Sequence, residues 1–420
     1  MNNAAMSPAA YDLAPAAAIA LLGALLAAVP LAWLWWRHRD AGTRGRLHAL
    51  TVMALFLTFD LVLFGAFTRL SDSGLGCPDW PGCYGNASPF GAHHEIQSAQ
   101  ASLPSGPVTH GKAWIEMTHR YLATAVGALI ALLAAWSWLA HRRRSDAPRS
   151  VATAISPWWA TATLAWICLQ GAFGALTVTM KLYPAIVTAH LLGGLVLLAL
   201  LVVQDESYRP VPLALPAQLR RGALVVAVLA VVQIALGGWV STNYAVLACR
   251  DFPTCQGAWW PAMDFDHGFT LLRELGAGKD GGYLPFAALT AIHMTHRIGA
   301  VIVLAALAAL AWALHATRDP AARRFALALA GVALWQLASG LSNVVLGWPL
   351  LSALAHTGGA AALVIVLTAL LVRAAHVPRL HMREHVGDPT AGLTGDQAVD
   401  QTVNRPGMAP VRKIASSRAP

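Results

Sequence analysis

Glu116-Met117-Thr118-His119-Arg120 stands at the threshold of a long apolar run, and His293-Met294-Thr295-His296-Arg297 stands at the mouth of another. A histidine beside an arginine is expensive at membrane depth, so the same cluster placed twice in that setting marks a function. The surrounding chain has 420 residues, of which 57% are hydrophobic and only 12% charged, with a mean hydropathy of +0.54. A soluble chain carries about twice that share of charge. Apolar runs long enough to span a bilayer recur at 13–36, 48–70, 113–140, 157–180, 184–204, 221–243, 285–314, 325–347 and 349–375. Backbone groups in lipid must be satisfied within the segment, so the nine runs read as helices of an all-α polytopic membrane protein.

The net charge of +9 comes from arginines in short clusters between the runs, not from a basic face, so nucleic acid is not an expected partner. Arg37, Arg39, Arg44 and Arg46 follow the first run, and Arg142, Arg143, Arg144 and Arg149 follow the third. Arg209, Arg220 and Arg221 precede the sixth run; Arg318, Arg323 and Arg324 separate the seventh from the eighth; Arg373, Arg379 and Arg383 follow the last. If the helices alternate, all five clusters share one side, which the positive-inside rule makes cytoplasmic. The long loops 71–112 and 244–284 then lie outside. Cys77 and Cys83 share the first of these loops and Cys249 and Cys255 the second, as expected of disulfides formed in an oxidising compartment. An exchangeable redox pair at Cys77 and Cys83 is the alternative. Cys168 lies alone inside an apolar run and reads as a small core residue.

The first run lacks Lys or Arg ahead of it and contains Asp12, with positive charge following it. That favours a retained helix with its N-terminus outside over a cleaved signal peptide. The remaining eight runs repeat. Gly65-Ala66-Phe67 leads to Cys77-Pro78-Asp79-Trp80-Pro81-Gly82-Cys83, and Gly237-Gly238-Trp239 leads to Cys249-Arg250-Asp251-Phe252-Pro253-Thr254-Cys255, at a constant offset of 172. The two Met-Thr-His-Arg copies are offset by 177. Gln170, Gly174, His190 and Gly193 match Gln336, Gly340, His356 and Gly359 at an offset of 166. Landmarks in one order imply two tandem pseudo-symmetric four-helix bundles, related by an axis along the membrane normal because each crosses an even number of times. The expected divisions are an added N-terminal helix and loop (1–47), a first bundle (48–204), a linker (205–220), a second bundle (221–375) and a disordered cytoplasmic tail (376–420).

Each bundle holds two candidate histidines, His119 with His190 and His296 with His356. His119, His190 and His356 fall about six residues below the outer ends of their runs and His296 about ten. Paired histidines on different helices of a bundle suit axial ligation of a flat macrocycle; a lone intramembrane histidine is otherwise a hydrogen-bonded core residue. No further Cys, His or carboxylate near them completes a zinc or copper site. Haem needs two axial ligands and room, for which Gly193, Gly194, Gly358 and Gly359 stand beside the second histidine of each pair. Arg120 and Arg297 read either as haem-propionate partners or as side chains snorkelling to the interface. The halves differ where Glu116 in the first is His293 in the second. Glu116 shares a helix face with His119 and could relay protons or stabilise a substrate cation. Alternatively it is a helix N-terminal acid favoured by the dipole. His293 reads as a spare ligand or a propionate partner. The loop histidines His93, His94, His110 and His267 have no recognisable partners in the sequence.

With these motifs assembled, residues 48–375 resemble the haem A synthase family in its bacterial form. The resemblance rests on Gly65 to Cys83, Glu116 to Arg120, Thr188-Ala189-His190, the second cysteine loop, His293 to Arg297 and Leu354-Ala355-His356. It implies an enzyme that oxidises the C8 methyl group of haem O to a formyl group by successive hydroxylations, giving haem A for terminal oxidases. It further implies a haem b ligated by His296 and His356, a substrate haem at His119 and His190, and an essential Glu116. The implied setting is a bacterial inner membrane, with cysteine loops and haem sites toward the periplasm and the C-terminus cytoplasmic. Implied partners are haem O synthase as the supplier, lipid, an electron donor and a second copy of the chain. Two other functions fit two histidine pairs. A dihaem cytochrome b-like electron carrier needs no Glu116, and a haem transporter or chaperone makes no product.

Overall fold

The computed structural model describes residues 13–144 and 156–375. The expected disordered tail lies outside the described residues, as do Arg149, Arg379 and Arg383. Among the described residues every regular element is helical. In order they are α1 (Ala14–Arg37), α2 (Thr43–Leu70), the short α3 (His93–Ser102), α4 (His110–Arg144), α5 (Pro157–Thr179) and α6 (Pro184–Tyr208). After them come α7 (Ala217–Thr242), a 3-10 turn at Ala245–Ala248, the single-turn α8 (Phe265–Gly268), α9 (Phe286–Ala316), α10 (Pro320–Val345) and α11 (Leu350–Ala375). Nine of them, all but α3 and α8, are long and apolar enough to cross a membrane, so the protein is an all-α multi-pass membrane protein.

Local sequence sets several of the starts. α5, α6 and α10 each carry Pro at the first helical position, where its fixed φ suits the helix and its missing N–H has no intrahelical partner to lose. Asp319 also caps α10 by accepting the Ala322 N–H at 2.8 Å. α4 begins at His110, three residues ahead of its apolar run. Glu116 therefore sits in the second turn, and the reading of it as a first-turn acid held by the helix dipole fails.

Packing order places the site. α2 packs against α4, α4 against α5, α5 against α6 and α6 back against α2, closing a ring of four. α7, α9, α10 and α11 close a second ring in the corresponding order. Between the rings α2 meets α11 and α6 meets α7, which is the same contact made twice, and α6 meets its own counterpart α11. At the loop end two bonds link repeat-equivalent residues directly: Arg69 Nη2 donates to the Ser241 carbonyl at 2.6 Å, and Tyr244 Oη donates to Asp72 Oδ1 at 2.6 Å. α1 lies along α4, where Gly23 allows the backbones to close on Thr124: a Cβ there would stand 2.6 Å from the Thr124 methyl.

Two apolar clusters fill the ring ends remote from the cysteine loops. One holds Leu47, Leu50, Leu129, Leu133 and Leu201, and the other Leu307, Leu314, Leu329, Leu367 and Leu370. Lipid is as apolar as leucine, so close packing rather than escape from water stabilises these ends. The polar chemistry is left to the loop ends. Cys168 departs from expectation: it is a free thiol exposed on α5, not a core residue. Small and apolar, it can lie on a lipid-facing surface as readily as inside.

Candidate functional site

The four histidines come from opposite corners of their rings. His119 on α4 faces His190 on α6, and His296 on α9 faces His356 on α11, each pair within electrostatic reach. His119 follows the first residue of α4 by nine positions and His296 follows that of α9 by ten; His190 and His356 each follow theirs by six. The early start of α4 thus puts His119 deeper than its apolar run indicates and matches it to His296, roughly 14–15 Å along the helix. His190 and His356 match at about 9 Å.

The other two corners of each ring supply the room. A Cβ at Gly65 on α2 would come 3.0 Å from His119 Cε1, and one at Gly174 on α5 would come 3.5 Å from His190 Cε1. In the second ring a Cβ at Gly237 would come 3.0 Å from His296 Cε1 and one at Gly340 3.2 Å from His356 Cε1. Each histidine therefore lies against a glycine of the neighbouring helix. This replaces the expectation placed on Gly193 and Gly359. Gln170 packs onto Gly193, while Trp335 and Gln336 pack onto Gly359, so those glycines accommodate side chains instead.

The histidine pairs differ in what holds them. Gln233 Nε2 lies 3.0 Å from His296 Nδ1 and donates to the His296 carbonyl at 2.9 Å. Ser339 Oγ lies 3.0 Å from His356 Nδ1. In the first ring the Nδ1 atoms of His119 and His190 are buried without a hydrogen-bond partner among the described residues, and Phe64 stacks on the His119 ring at 6.2 Å.

Arg120 and Arg297 have a role that the sequence reading did not anticipate. Arg120 Nη1 donates to the carbonyls of Asp79 at 3.0 Å and Pro81 at 3.1 Å, and to that of Gly82, while Nη2 pairs with Glu116 Oε1. Arg297 donates to Thr254 at 2.9 Å, Cys249 at 2.9 Å and Asp251 at 3.0 Å, and its Nε donates to His293 Nε2 at 3.3 Å. Both guanidinium groups grip a cysteine loop, a clamp role that the sequence reading did not include. His293 is accordingly a partner of the Arg297 clamp. Glu116 is only 4% exposed, and its second oxygen, Oε2, accepts the Cys77 N–H at 2.8 Å. It pins the first loop while projecting from the His119 face of α4.

Both loops close as disulfides, Cys77–Cys83 and Cys249–Cys255. The aspartate within each motif performs a task the sequence pattern did not disclose. Asp79 accepts the N–H groups of Tyr84 at 2.6 Å and Gly85 at 2.7 Å, and Asp251 those of Gln256 at 2.8 Å and Gly257 at 2.9 Å. The Thr254 hydroxyl and those two N–H groups hold the Asp251 carboxyl at a pKa of about 2. Three loop histidines also find partners: His93 and His110 lie ring to ring at 4.6 Å, and His267 Nδ1 bonds Asp264 at 2.8 Å.

Two buried imidazoles across a glycine-lined ring core fit axial ligation of a flat macrocycle. No three His, Cys, Asp or Glu side chains gather as a metal site among the described residues, so the donor set suits haem better than a bare ion. Relatives agree with that chemistry. A protein named Heme A synthase in Shewanella oneidensis is 38% identical over 322 residues, covering 76% of this chain and 93% of its own length. Another of that name in a Methylobacterium species is 30% identical, covering 71% of this chain and 84% of its own. A third in Halalkalibacterium halodurans is 26% identical, with 76% and 92% covered. The family model described as cytochrome oxidase assembly protein matches residues 48–368, the eight helices of the two rings without α1. The chain belongs to that cytochrome oxidase assembly family, together with these haem A synthases.

Proposed function

We propose that this protein is a haem A synthase, a membrane oxidoreductase that converts haem O to haem A. The observation that carries the reading is the pairing of two near-identical histidine sites with one difference in charge, Glu116 against His293. An electron carrier has use for two such sites but not for a buried carboxylate in only one of them. The names of the relatives point the same way.

In this reading the first ring, about 48–204, receives haem O as substrate, with His119 and His190 as the groups that hold its iron. The second ring, about 221–375, keeps a resident haem b on His296 and His356. Haem b would supply a path for the electrons of the reaction. The residues of the chain orient, enclose and move protons. Gly65 and Gly174 leave the first core open for a planar substrate beside both imidazoles. Glu116, held by Arg120 and the Cys77 N–H, keeps a carboxylate above the same core while the disulfide loop covers it. From there it can take or return protons as the C8 methyl is oxidised to the formyl level. In this reading the loop end faces the periplasm of a bacterial inner membrane and α11 runs toward the cytoplasm, an orientation supported by the arginine clusters through the positive-inside rule. A hydrophobic substrate of this kind reaches the site through lipid, from the enzyme that makes haem O.

The test is extraction of haem from membranes that contain the protein and a source of haem O. A formyl-bearing haem supports the synthase. Haem B and unconverted haem O alone would leave the dihaem electron carrier as the better reading.

A further inference from the structure

The two rings differ behind their histidines, and the difference lies at repeat-equivalent positions. Ser339 on α10 corresponds to Phe173 on α5, and Gln233 on α7 corresponds to Leu61 on α2, by the offsets of 166 and 172 that align the glycines and cysteines. The polar member of each pair stands in the second ring against a histidine Nδ1. The apolar member stands in the first ring, where Nδ1 of both histidines is buried and unpartnered.

Ser339 has a defined hydrogen-bond direction. Its single hydroxyl proton goes to the Trp335 carbonyl at 2.7 Å, so Oγ meets His356 Nδ1 at 3.0 Å as an acceptor. Nδ1 therefore carries the proton, and the lone pair that remains is on Nε2, the nitrogen a metal takes. Ser339 is itself 8% exposed, and its own carbonyl accepts from Ser352 at 3.0 Å, which ties α10 to the start of α11. Gln233 Nε2 holds His296 through its backbone, donating to the His296 carbonyl at 2.9 Å. Gln170 Nε2 does the same for the His190 carbonyl at 2.9 Å in the first ring. That brace is common to both rings, and the acceptor behind His356 is not. The phenylalanine at the position equivalent to Ser339 has no atom that can accept a hydrogen bond from an imidazole N–H.

We propose that Ser339 is a positioning residue that locks His356 as a permanent haem ligand. Phe173 leaves the His190 Nδ1 without such an acceptor, so that the first ring binds its haem reversibly. The chain thus has a retaining site and an exchanging site, distinguished by what lies behind the ligands. The inference rests on the assignment of haem b to the second ring, and its test separates the two.

Haem b content, affinity and midpoint potential are measured on the purified full chain for His356→Ala, Ser339→Ala, Ser339→Thr and wild type. Loss of an outer hydrogen bond to a ligating histidine lowers metal affinity about 10–100-fold. Ser339→Ala should lose haem b by that factor and shift its potential upward, because an imidazole without its Nδ1–H acceptor is the weaker donor to ferric iron. Ser339→Thr, which keeps the acceptor, should restore both. In the His356→Ala background, Phe173→Ser should raise the haem that stays with the first ring through purification. Wild-type affinity and potential in Ser339→Ala, alongside loss of haem in His356→Ala, would overturn the positioning role alone. Full haem b retention in His356→Ala would overturn the site assignment beneath it.

Discussion

Glu116 Oε2 accepts the backbone N–H of Cys77 at 2.8 Å, so the carboxylate that distinguishes the first ring is bonded directly to the disulfide loop above it. Its other oxygen pairs with Arg120, whose remaining contacts grip the same loop. A structural and a chemical role therefore meet in one side chain, and substitutions must be chosen to separate them.

Glu116→Ala removes the counter-charge of a guanidinium that is itself largely buried and leaves the Cys77 N–H without its acceptor. Breaking a buried pair in this way costs about 3–5 kcal/mol. Glu116→Gln keeps an acceptor for Cys77 and a similar volume, so its melting temperature in detergent should stay closer to wild type. Both variants should fail to form haem A. Wild-type haem A production by Glu116→Gln would remove the carboxylate from the chemistry and leave only the loop contact.

Arg120→Lys replaces a planar donor fork with a single ammonium that cannot reach several carbonyls at once. The Cys77–Cys83 loop should loosen, and after mild reduction its thiols should be alkylated several-fold faster than in wild type. Arg297→Lys should do the same for Cys249–Cys255 and leave the first loop unaffected. Mass spectrometry of the labelled cysteines separates the two loops. Equal labelling of both in either variant contradicts independent clamps.

Asp251 gives the second loop a defined pH response. Its carboxyl sits at about 2 in the fold, held by the Thr254 hydroxyl and the N–H groups of Gly257 and Gln256, against about 3.9 in an unfolded chain. A depressed folded value means the contribution is complete above about pH 4 and is lost as pH falls toward 2. Hydrogen exchange at the Gly257 amide should therefore be steadily protected at neutral pH and lose protection through that acid window. Asp251→Asn should be less protected throughout and lack the acid transition.

Gly237→Ala puts a methyl 3.0 Å from His296 Cε1, tight enough to push the ring from its seat. Haem b content should fall while the helices remain folded. Gly331→Ala on α10 meets nothing within 4 Å and serves as the control, with haem content and helicity unchanged. An equal loss of haem in both variants would mean that α-helical glycines matter here for flexibility and not for room.

Much of this architecture is legible in the chain itself. The nine spans follow from apolar run length, and the four histidine candidates follow from a repeat with constant offsets. Where the fold departs from those expectations, the causes are physical. The apolar run of the third span starts after its helix does, because His110 and Lys112 are helical without being apolar, and this makes His119 look shallow and Glu116 terminal. The clamp role of Arg120 and Arg297 is invisible in the sequence because the loop each one grips lies tens of residues away. Gly193 beside His190 looks like room for a ligand, yet a neighbour on α5 fills it.

The amino-acid sequence alone determined the class of fold, the duplication and the residue types able to bind haem, because lipid imposes length and apolarity on every span and a repeat leaves its spacing behind. The tertiary structure alone decided which corners of each ring face each other, which glycines open the core, and which donors lie behind each histidine. Ser339 and Phe173 are aligned in the sequence, but their difference has meaning only where a helix from another corner brings a histidine Nδ1 to within 3.0 Å of the hydroxyl. Hydrogen bonds act over one atomic contact, and the contacts between helices are set by packing that no single stretch of chain contains.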